Sequence, residues 1–190
     1  MAALAGCTAT PAPPPRPPTS SPTSEMPSVA PSVSRPVDLG PYYDQPCSLL
    51  NAQQLTELGF PADDQIEDEQ DGARVCAWSR DNSNTDASFT LLSISIYTTG
   101  DPLAAAYQKF NSDRAEDKWQ TIAFGEHTVR GLPAVTRGDR DDGSQCEATV
   151  GAGNGQGIVI LGHLYTYNEK PELCDRLVTA AELVVDAVRR

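Results

Sequence analysis

The sequence lacks several features that would place it in a common functional class. It has no apolar run of about 18 or more residues, which a membrane-spanning helix needs. It has only two histidines and no C-x-x-C pair, so the ligand spacing of a structural zinc site is missing. Lysine occurs only at positions 109, 118 and 170, and the net charge is −12. We therefore expect no membrane-spanning helix, no bound metal and no nucleic-acid partner.

Sequence motifs for catalysis are equally scarce. Neither G-x-S-x-G nor H-E-x-x-H is present, which leaves His127 and His163 as isolated candidate bases. The glycine-rich stretch Gly151–Gly157 lacks the spacing of a phosphate-binding loop, so we predict a hairpin turn there. The acidic run Asp139–Gly143 suggests a calcium loop, but Val150 occupies the position where an EF-hand has glutamate. We expect no catalytic residues and no cofactor.

The N-terminal composition separates a tail from a domain. Ten of the sixteen prolines lie between Pro11 and Pro36, among many serines, threonines and alanines. A segment so poor in large apolar side chains cannot offset its ordering entropy. We expect residues 8–38 to be a disordered spacer without fixed contacts, and residues 39–190 to form one globular domain.

A lipidation motif precedes this spacer. Residues 4–7, Leu-Ala-Gly-Cys, match the lipobox of bacterial lipoproteins, in which the cysteine is acylated and the chain is cleaved before it. A signal peptide places an apolar stretch of about 7–15 residues before such a site, whereas only six residues precede Cys7. We interpret residues 1–7 as the remnant of a signal peptide. Acyl chains such as palmitate on Cys7 would hold the protein at the outer face of the cell membrane.

The other four cysteines, Cys47, Cys76, Cys146 and Cys174, predict two disulfides in an exported domain. Three pairings are possible. Cys47 opens the first predicted helix and Cys76 lies on the next strand, while Cys146 lies on a late strand and Cys174 opens the last helix. Pairing neighbours in sequence joins elements that pack together, so we predict Cys47–Cys76 and Cys146–Cys174.

Hydrophobic periodicity predicts the fold class. Residues 88–98 alternate as a strand, with Leu92, Ile94 and Ile96 on one face. Asp101 and Pro102 then provide an N-cap and a first helical residue. Elsewhere we predict helices over 47–59 and 171–190, a polar loop over 61–72, strands over 74–80, 145–150 and 157–165, and a hairpin over 127–138 that turns through Gly131. This order indicates an α+β fold, an antiparallel sheet with helices packed on one face and two disulfides.

The chain resembles a known family. The lipobox, the spacer, the run Gln45–Leu50 continuing to Gly59, and Cys76-Ala77-Trp78 are similar to the actinobacterial lipoprotein family called domain of unknown function 3558. The cysteines at 146 and 174 fit the same pattern. The chain departs from the pattern at Gln45, where the family usually has aspartate, and in its short leader. The resemblance implies an extracytoplasmic location and a helix-backed sheet, and it implies no specific activity.

Together these observations predict a lipid-anchored, extracytoplasmic binding or sensing module of the bacterial cell envelope. Its partners would be the membrane, through the anchor, and a protein or small-molecule ligand. The alternative is a small envelope enzyme that acts on cell-wall material. The two differ in whether the fold places His127 or His163 beside a carboxylate or hydroxyl in an open cleft.

The anchor can be tested by removing Cys7. Two or more acyl chains give stable membrane binding, whereas one chain is marginal. In a chain expressed with a full signal peptide, we expect Cys7→Ala to move the protein into the medium or to leave it unprocessed, as measured by cell fractionation and mass spectrometry. Cys7→Ala protein that is processed and retained at the membrane like the parent would contradict lipidation at this residue.

Overall fold

In the computed structural model, the described residues are 29–60, 62–81, 89–116, 122–139, 143–164 and 173–190. Within them the chain forms an antiparallel sheet of seven strands in the order β1-β2-β3-β7-β6-β5-β4. The α+β class, the antiparallel sheet and the two disulfides are confirmed. The strands are β1 Asp64–Gln70, β2 Ala73–Asp81, β3 Phe89–Tyr97, β4 Ile122–Val129, β5 Leu132–Asp139, β6 Gln145–Gly153 and β7 Gln156–Leu164.

Two long helices and three short ones accompany this sheet in the described ranges. The long helices are α3, Pro102–Ala115, and α4, Leu173–Val188; the short ones are α1, Gly40–Tyr43, a 3-10 helix, Pro46–Leu49, and α2, Ala52–Glu57. The predicted single helix over 47–59 is therefore two short helices, and Asn51 caps the second by accepting a hydrogen bond from the Gln54 N–H. None of these helices is long and apolar enough to cross a membrane.

One face of the sheet carries the main core. Leu92, Ile94 and Ile96 of β3 are fully buried there, as the alternation predicted. Helix α4 packs on this face through the apolar stripe that the sequence showed. Its buried residues are Leu173, Leu177, Ala180, Ala181, Val184, Val185 and Val188. At Gly162 of β7 an added Cβ would lie 2.9 Å from Leu177, so the glycine permits close approach of helix and sheet.

Helix α3 packs on the opposite face, where the sequence placed no helix. Successive strand residues point to opposite faces, and the glycines of β7 show the result. Gly162 faces α4, whereas Gly157 faces Pro102 at the start of α3 and Gly151 of β6 faces Leu103. The structure thus differs from the expected one-sided arrangement. The chain reaches this face through the connection after β3, in which Gly100 and Asp101 both have positive φ.

Strand β1 was expected to be part of a polar loop. All seven of its residues are exposed, so it shows no alternation of apolar and polar residues. Its structure comes instead from antiparallel pairing with β2, from Asp64 opposite Ser79 to Gln70 opposite Ala73. A two-residue turn with positive φ at Asp71 and Gly72 joins the two strands. Acidic side chains on such an edge strand discourage pairing with other chains.

The two disulfides form as predicted. Cys47 of the 3-10 helix is joined to Cys76 of β2 with a Cα–Cα distance of 5.1 Å. Cys146 of β6 is joined to Cys174 of α4 with a Cα–Cα distance of 5.4 Å. Each bond therefore links the sheet to an element packed on its main core face. Closing loops of this length contributes about 3–4 kcal/mol each on the chain-entropy account.

The start of the domain differs from the expected boundary at residue 39. Within residues 29–38, Val33 and Val37 are half-buried against the main core, and Ala30 packs near α3. The Val37 N–H donates to the Ala152 carbonyl at 2.8 Å. These contacts could not be predicted from the proline-rich composition, because only a few apolar residues of the segment make them. Residues 1–28, which include Cys7 and most of the predicted spacer, lie outside the described residues.

This segment should contribute measurably to stability. Chains that begin at residue 29 and at residue 39 should differ in free energy of unfolding by about 1–3 kcal/mol, because the shorter one loses two half-buried valines and a hydrogen bond. Urea unfolding of both, with the full chain as reference, measures the difference. Equal stability of the two chains would show that residues 29–38 do not hold to the domain in solution.

Candidate functional site

Helix α3 is held firmly to one part of its sheet face. The Phe110 ring stacks on Phe124 of β4 with centroids 4.1 Å apart. The Arg137 guanidinium of β5 donates to Asp113 at 2.9 Å, and both side chains are largely buried. The buried hydroxyl of Tyr107 donates to Glu126. These contacts lie near the β4–β5 edge of the sheet, while the body of α3 packs mainly on β6 and β7. On this face of the sheet, none of the described helices packs closely on β1 to β3.

A groove runs along the uncovered side of α3. Its volume is about 380 Å³, within the range of about 300–1,000 Å³ typical of small-molecule sites. Strands β3, β6 and β7 form the floor, α3 forms one wall, and the β1–β2 turn forms the other. The side chains that line it are Asp71, Tyr97, Thr99, Pro102, Ala105, Ala106, Lys109, Glu147, Thr149 and Val159.

Two carboxylates act on the aromatic residue of this groove. Burial raises the pKa of the Tyr97 phenol, and the negative charges of Asp71 and Glu147 raise it further. Asp71 lies on the β1–β2 turn and Glu147 on β6. These elements are distant in sequence, so it is the strand order of the sheet that places both residues in the lining of the groove. Glu147 is positioned by a hydrogen bond of 3.3 Å from the buried Thr149 hydroxyl. Lys109 is exposed on the α3 wall.

Two further clefts lie on the other side of α3, where residues 29–36 pass. One, of about 500 Å³, lies between that segment, α3 and the β6–β7 turn, and its polar side chains include Asp101, Gln108 and Asn154. The other, also about 500 Å³, lies beside β4 and is lined in part by Glu126 and His127. The N-terminal segment forms one wall of each cleft, so the shape of both clefts depends on where that segment lies.

The two histidines have different surroundings. Nε2 of His127 lies 2.9 Å from the Thr136 hydroxyl, and His127 lines the cleft beside β4. The structure therefore places this histidine beside a hydroxyl in a cleft, which is the arrangement that the enzyme alternative requires. Thr136, however, is only 6% exposed, so the hydroxyl is screened from a substrate. His163 is half-buried on β7, on the sheet face that α3 shares.

The remaining sequence predictions fall in several places. The predicted glycine-rich turn is a tight hairpin at Asn154 and Gly155, both with positive φ. Residues 140–142 of the acidic run lie outside the described residues, as does Cys7. Among the described residues no group of three or more His, Cys, Asp or Glu side chains is placed to hold a metal ion. The groove residues themselves were not selected from the sequence.

The fold and groove define an α+β domain with two disulfides and a partly open sheet face. The family model described as "Protein of unknown function (DUF3558)" matches residues 2–187, so the chain belongs to this family. Comparison with curated proteins and with solved structures finds no match.

The electrostatics of the groove can be tested through Tyr97. Because its folded pKa is raised, the phenol favours folding below its unfolded pKa of about 10, and this contribution is lost as the pH rises through the folded value. We expect Asp71→Asn and Glu147→Gln each to lower the pKa of Tyr97, as followed by ¹³C-tyrosine NMR with Tyr97→Phe for assignment. Glu57→Gln on α2 is the control. A pKa that is the same in all three variants would show that the two carboxylates do not reach the phenol.

Proposed function

We propose that this chain is a lipid-anchored, extracytoplasmic binding module of the bacterial cell envelope, that it is not an enzyme, and that the groove beside α3 is its binding site. Three features support the location. Two disulfides suit an oxidising compartment, residues 4–7 match the lipobox sequence, and a proline-rich segment separates Cys7 from the domain.

The observation that carries the binding role is the part of the α3-side sheet face that no described helix covers. A wholly polar sheet face can be exposed to water, whereas an apolar sheet face is normally covered by helices. The α3-side face of this sheet is neither wholly polar nor wholly apolar. Half-buried Leu91, Val159 and Leu161 lie among half-buried Ser93 and Ser95, beside a groove with charges of both signs. Such a mixture of apolar surface and a few polar groups is typical of ligand sites.

The second candidate is an envelope enzyme, and the contact between His127 and Thr136 favours it. A histidine beside a hydroxyl is the minimal pair for nucleophilic catalysis. The burial of Thr136 weighs against that role, as does the shared wall with residues 29–36. We interpret the contact as a cross-strand hydrogen bond that helps to hold β4 to β5.

Filling the groove should weaken binding. Ala105 is exposed on the α3 wall, so Ala105→Trp places an indole in the groove without disturbing the core. We expect NMR titrations with amino acids, short peptides and small sugars to identify ligands that shift groove amides. Ala105→Trp should weaken those ligands at least about tenfold.

Ala115→Trp provides the matched control, because Ala115 is also exposed on α3 but does not line the groove. Ligand shifts that persist unchanged in Ala105→Trp would place binding elsewhere. Turnover of cell-wall fragments that is lost in His127→Ala and in Thr136→Val, both still folded, would support the enzyme alternative instead.

A further inference from the structure

Residues 29–37 form a strap across the end of the sheet that carries the β6–β7 turn. Ala30, near one end of the strap, packs with buried residues of α3, whereas Val37 at the other end packs on the main core. The Val37 N–H donates to the Ala152 carbonyl of β6 at 2.8 Å. The strap therefore passes from the α3 side of the sheet to the main core side, beside the hairpin of β6 and β7.

Two glycines of β6 let the strap lie directly on this hairpin. A Cβ added at Gly151 would lie 3.5 Å from Val33, and one added at Gly153 would lie 2.9 Å from Pro36. With Ala30, the strap residues that contact the domain here are spaced three apart, which is the period of a polyproline II helix. The glycine-rich stretch that forms the hairpin turn thus also receives an extended, proline-containing chain.

The strap does not fill the surface on which it lies. That surface includes Leu103, Tyr107, Gly151 and Gly153, and we call it the strap site. Two cavities of about 500 Å³ each border the strap, one against α3 and one beside β4. Protein interiors normally have few voids larger than a water molecule. A segment that served only to cover this surface would be expected to bring larger side chains than Ala30, which lines the cavity against α3.

Most of the strap is held loosely. Val37 with its hydrogen bond and the fully buried Leu39 fix its C-terminal end. In the part of the chain that the structure describes, residues 29–36 make no hydrogen bond to the rest of the domain. Six of the strap side chains are exposed: Val29, Pro31, Ser32, Ser34, Arg35 and Pro36. Residues 29–36 can therefore leave the strap site while Val37 and Leu39 stay in place.

We propose that the strap site binds an extended, proline-containing segment of another protein, and that residues 29–36 are a weak occupant which this partner displaces. The partner carries an apolar side chain larger than alanine at the Ala30 position, and it keeps an apolar residue and a proline at the Val33 and Pro36 positions. The strap site lies on the other side of α3 from the groove. This inference therefore goes beyond the proposed function and does not depend on it.

The test uses the full, oxidised chain with its strap released. Ala30→Asp, Val33→Asp and Pro36→Asp together place a carboxylate at each contact position, so residues 29–36 should leave the site. The probe is an end-blocked peptide with the sequence of residues 29–36 and the change Ala30→Leu. We expect it to shift the amides of Ala104, Gln108 and Asn154 of the released chain in a saturable way, as measured by NMR.

The amide pattern of β3 checks that the released chain is folded, and Val33→Asp alone replaces the triple variant if it is not. A folded, released chain whose amides the peptide does not shift would overturn the proposal.

A matched pair of peptides tests the cavity against α3. The Ala30→Leu peptide should bind about tenfold more tightly than the native sequence, because the added apolar atoms enter this cavity. Ser34→Leu adds the same side chain at an exposed position that lines neither cavity, so this peptide should bind like the native sequence. Equal affinity of the two leucine peptides would overturn the assignment of the larger side chain to the Ala30 position.

The unmodified chain tests the displacement. Its own strap competes at an effective concentration of about millimolar, so the Ala30→Leu peptide should bind it at least about tenfold more weakly than the released chain. Equal affinity for the two chains would place the peptide elsewhere and overturn the proposal. Dimers of the unmodified chain that the three strap substitutions abolish, as measured by analytical ultracentrifugation, would identify a second copy as the occupant and overturn the assignment to another protein.

Discussion

The sheet of this domain is wider than a single helix can cover, and this mismatch determines how the helices are arranged on it. Seven strands at about 4.8 Å spacing span about 29 Å, whereas one helix with its side chains is about 10–12 Å across. On the main core face, α4 is joined by the short helices and by Leu39, Leu49 and Leu55, and together they bury the apolar strand residues. On the other face, α3 stands alone among the described helices. It packs mainly on β6 and β7, and its aromatic and charged side chains contact β4 and β5. The groove lies along its other side, over parts of β3, β6 and β7.

Both disulfides lie on the main core face of the sheet, and neither involves α3 on the opposite face. Cys47–Cys76 ties the short helices to β2, and Cys146–Cys174 ties α4 to β6. Both bonds therefore restrain the layer that carries most of the buried apolar surface. Helix α3 has no covalent link to the sheet, and its position depends on the stacked rings of Phe110 and Phe124 and on the ion pair of Asp113 with Arg137. One wall of the groove is therefore formed by α3, the long helix that has no disulfide to the sheet.

Local patterns in the sequence predicted the elements that bury a regular apolar face. The alternation of β3, the cap at Asp101 and the stripe of α4 are each visible over a few turns or pleats, and the structure has all three. Strand β1 was missed because exposed acidic residues give no alternation, so its pairing with β2 is a property of the sheet. The groove was missed for a related reason: Asp71, Tyr97 and Glu147 follow no motif spacing, and only the strand order brings them together. One local signal was available, the polar residues Ser93 and Ser95 on the outer face of β3.

The position of α3 also bears on whether the proposed module would only bind a ligand or would also transmit a signal. One side of the helix lines the groove through Ala105 and Lys109, and the other side lines the cleft formed by residues 29–36 through Ala104 and Gln108. Movement of this helix is therefore one route by which a ligand in the groove could act on residues 29–36. Sensing by this route requires two positions of α3 that differ in ligand affinity. The side chains that hold α3 to β4 and β5 are largely buried and are joined by the Tyr107–Glu126 and Asp113–Arg137 hydrogen bonds, and a second position would break both contacts. That cost favours the proposed binding role over one in which the domain relays a signal through residues 29–36.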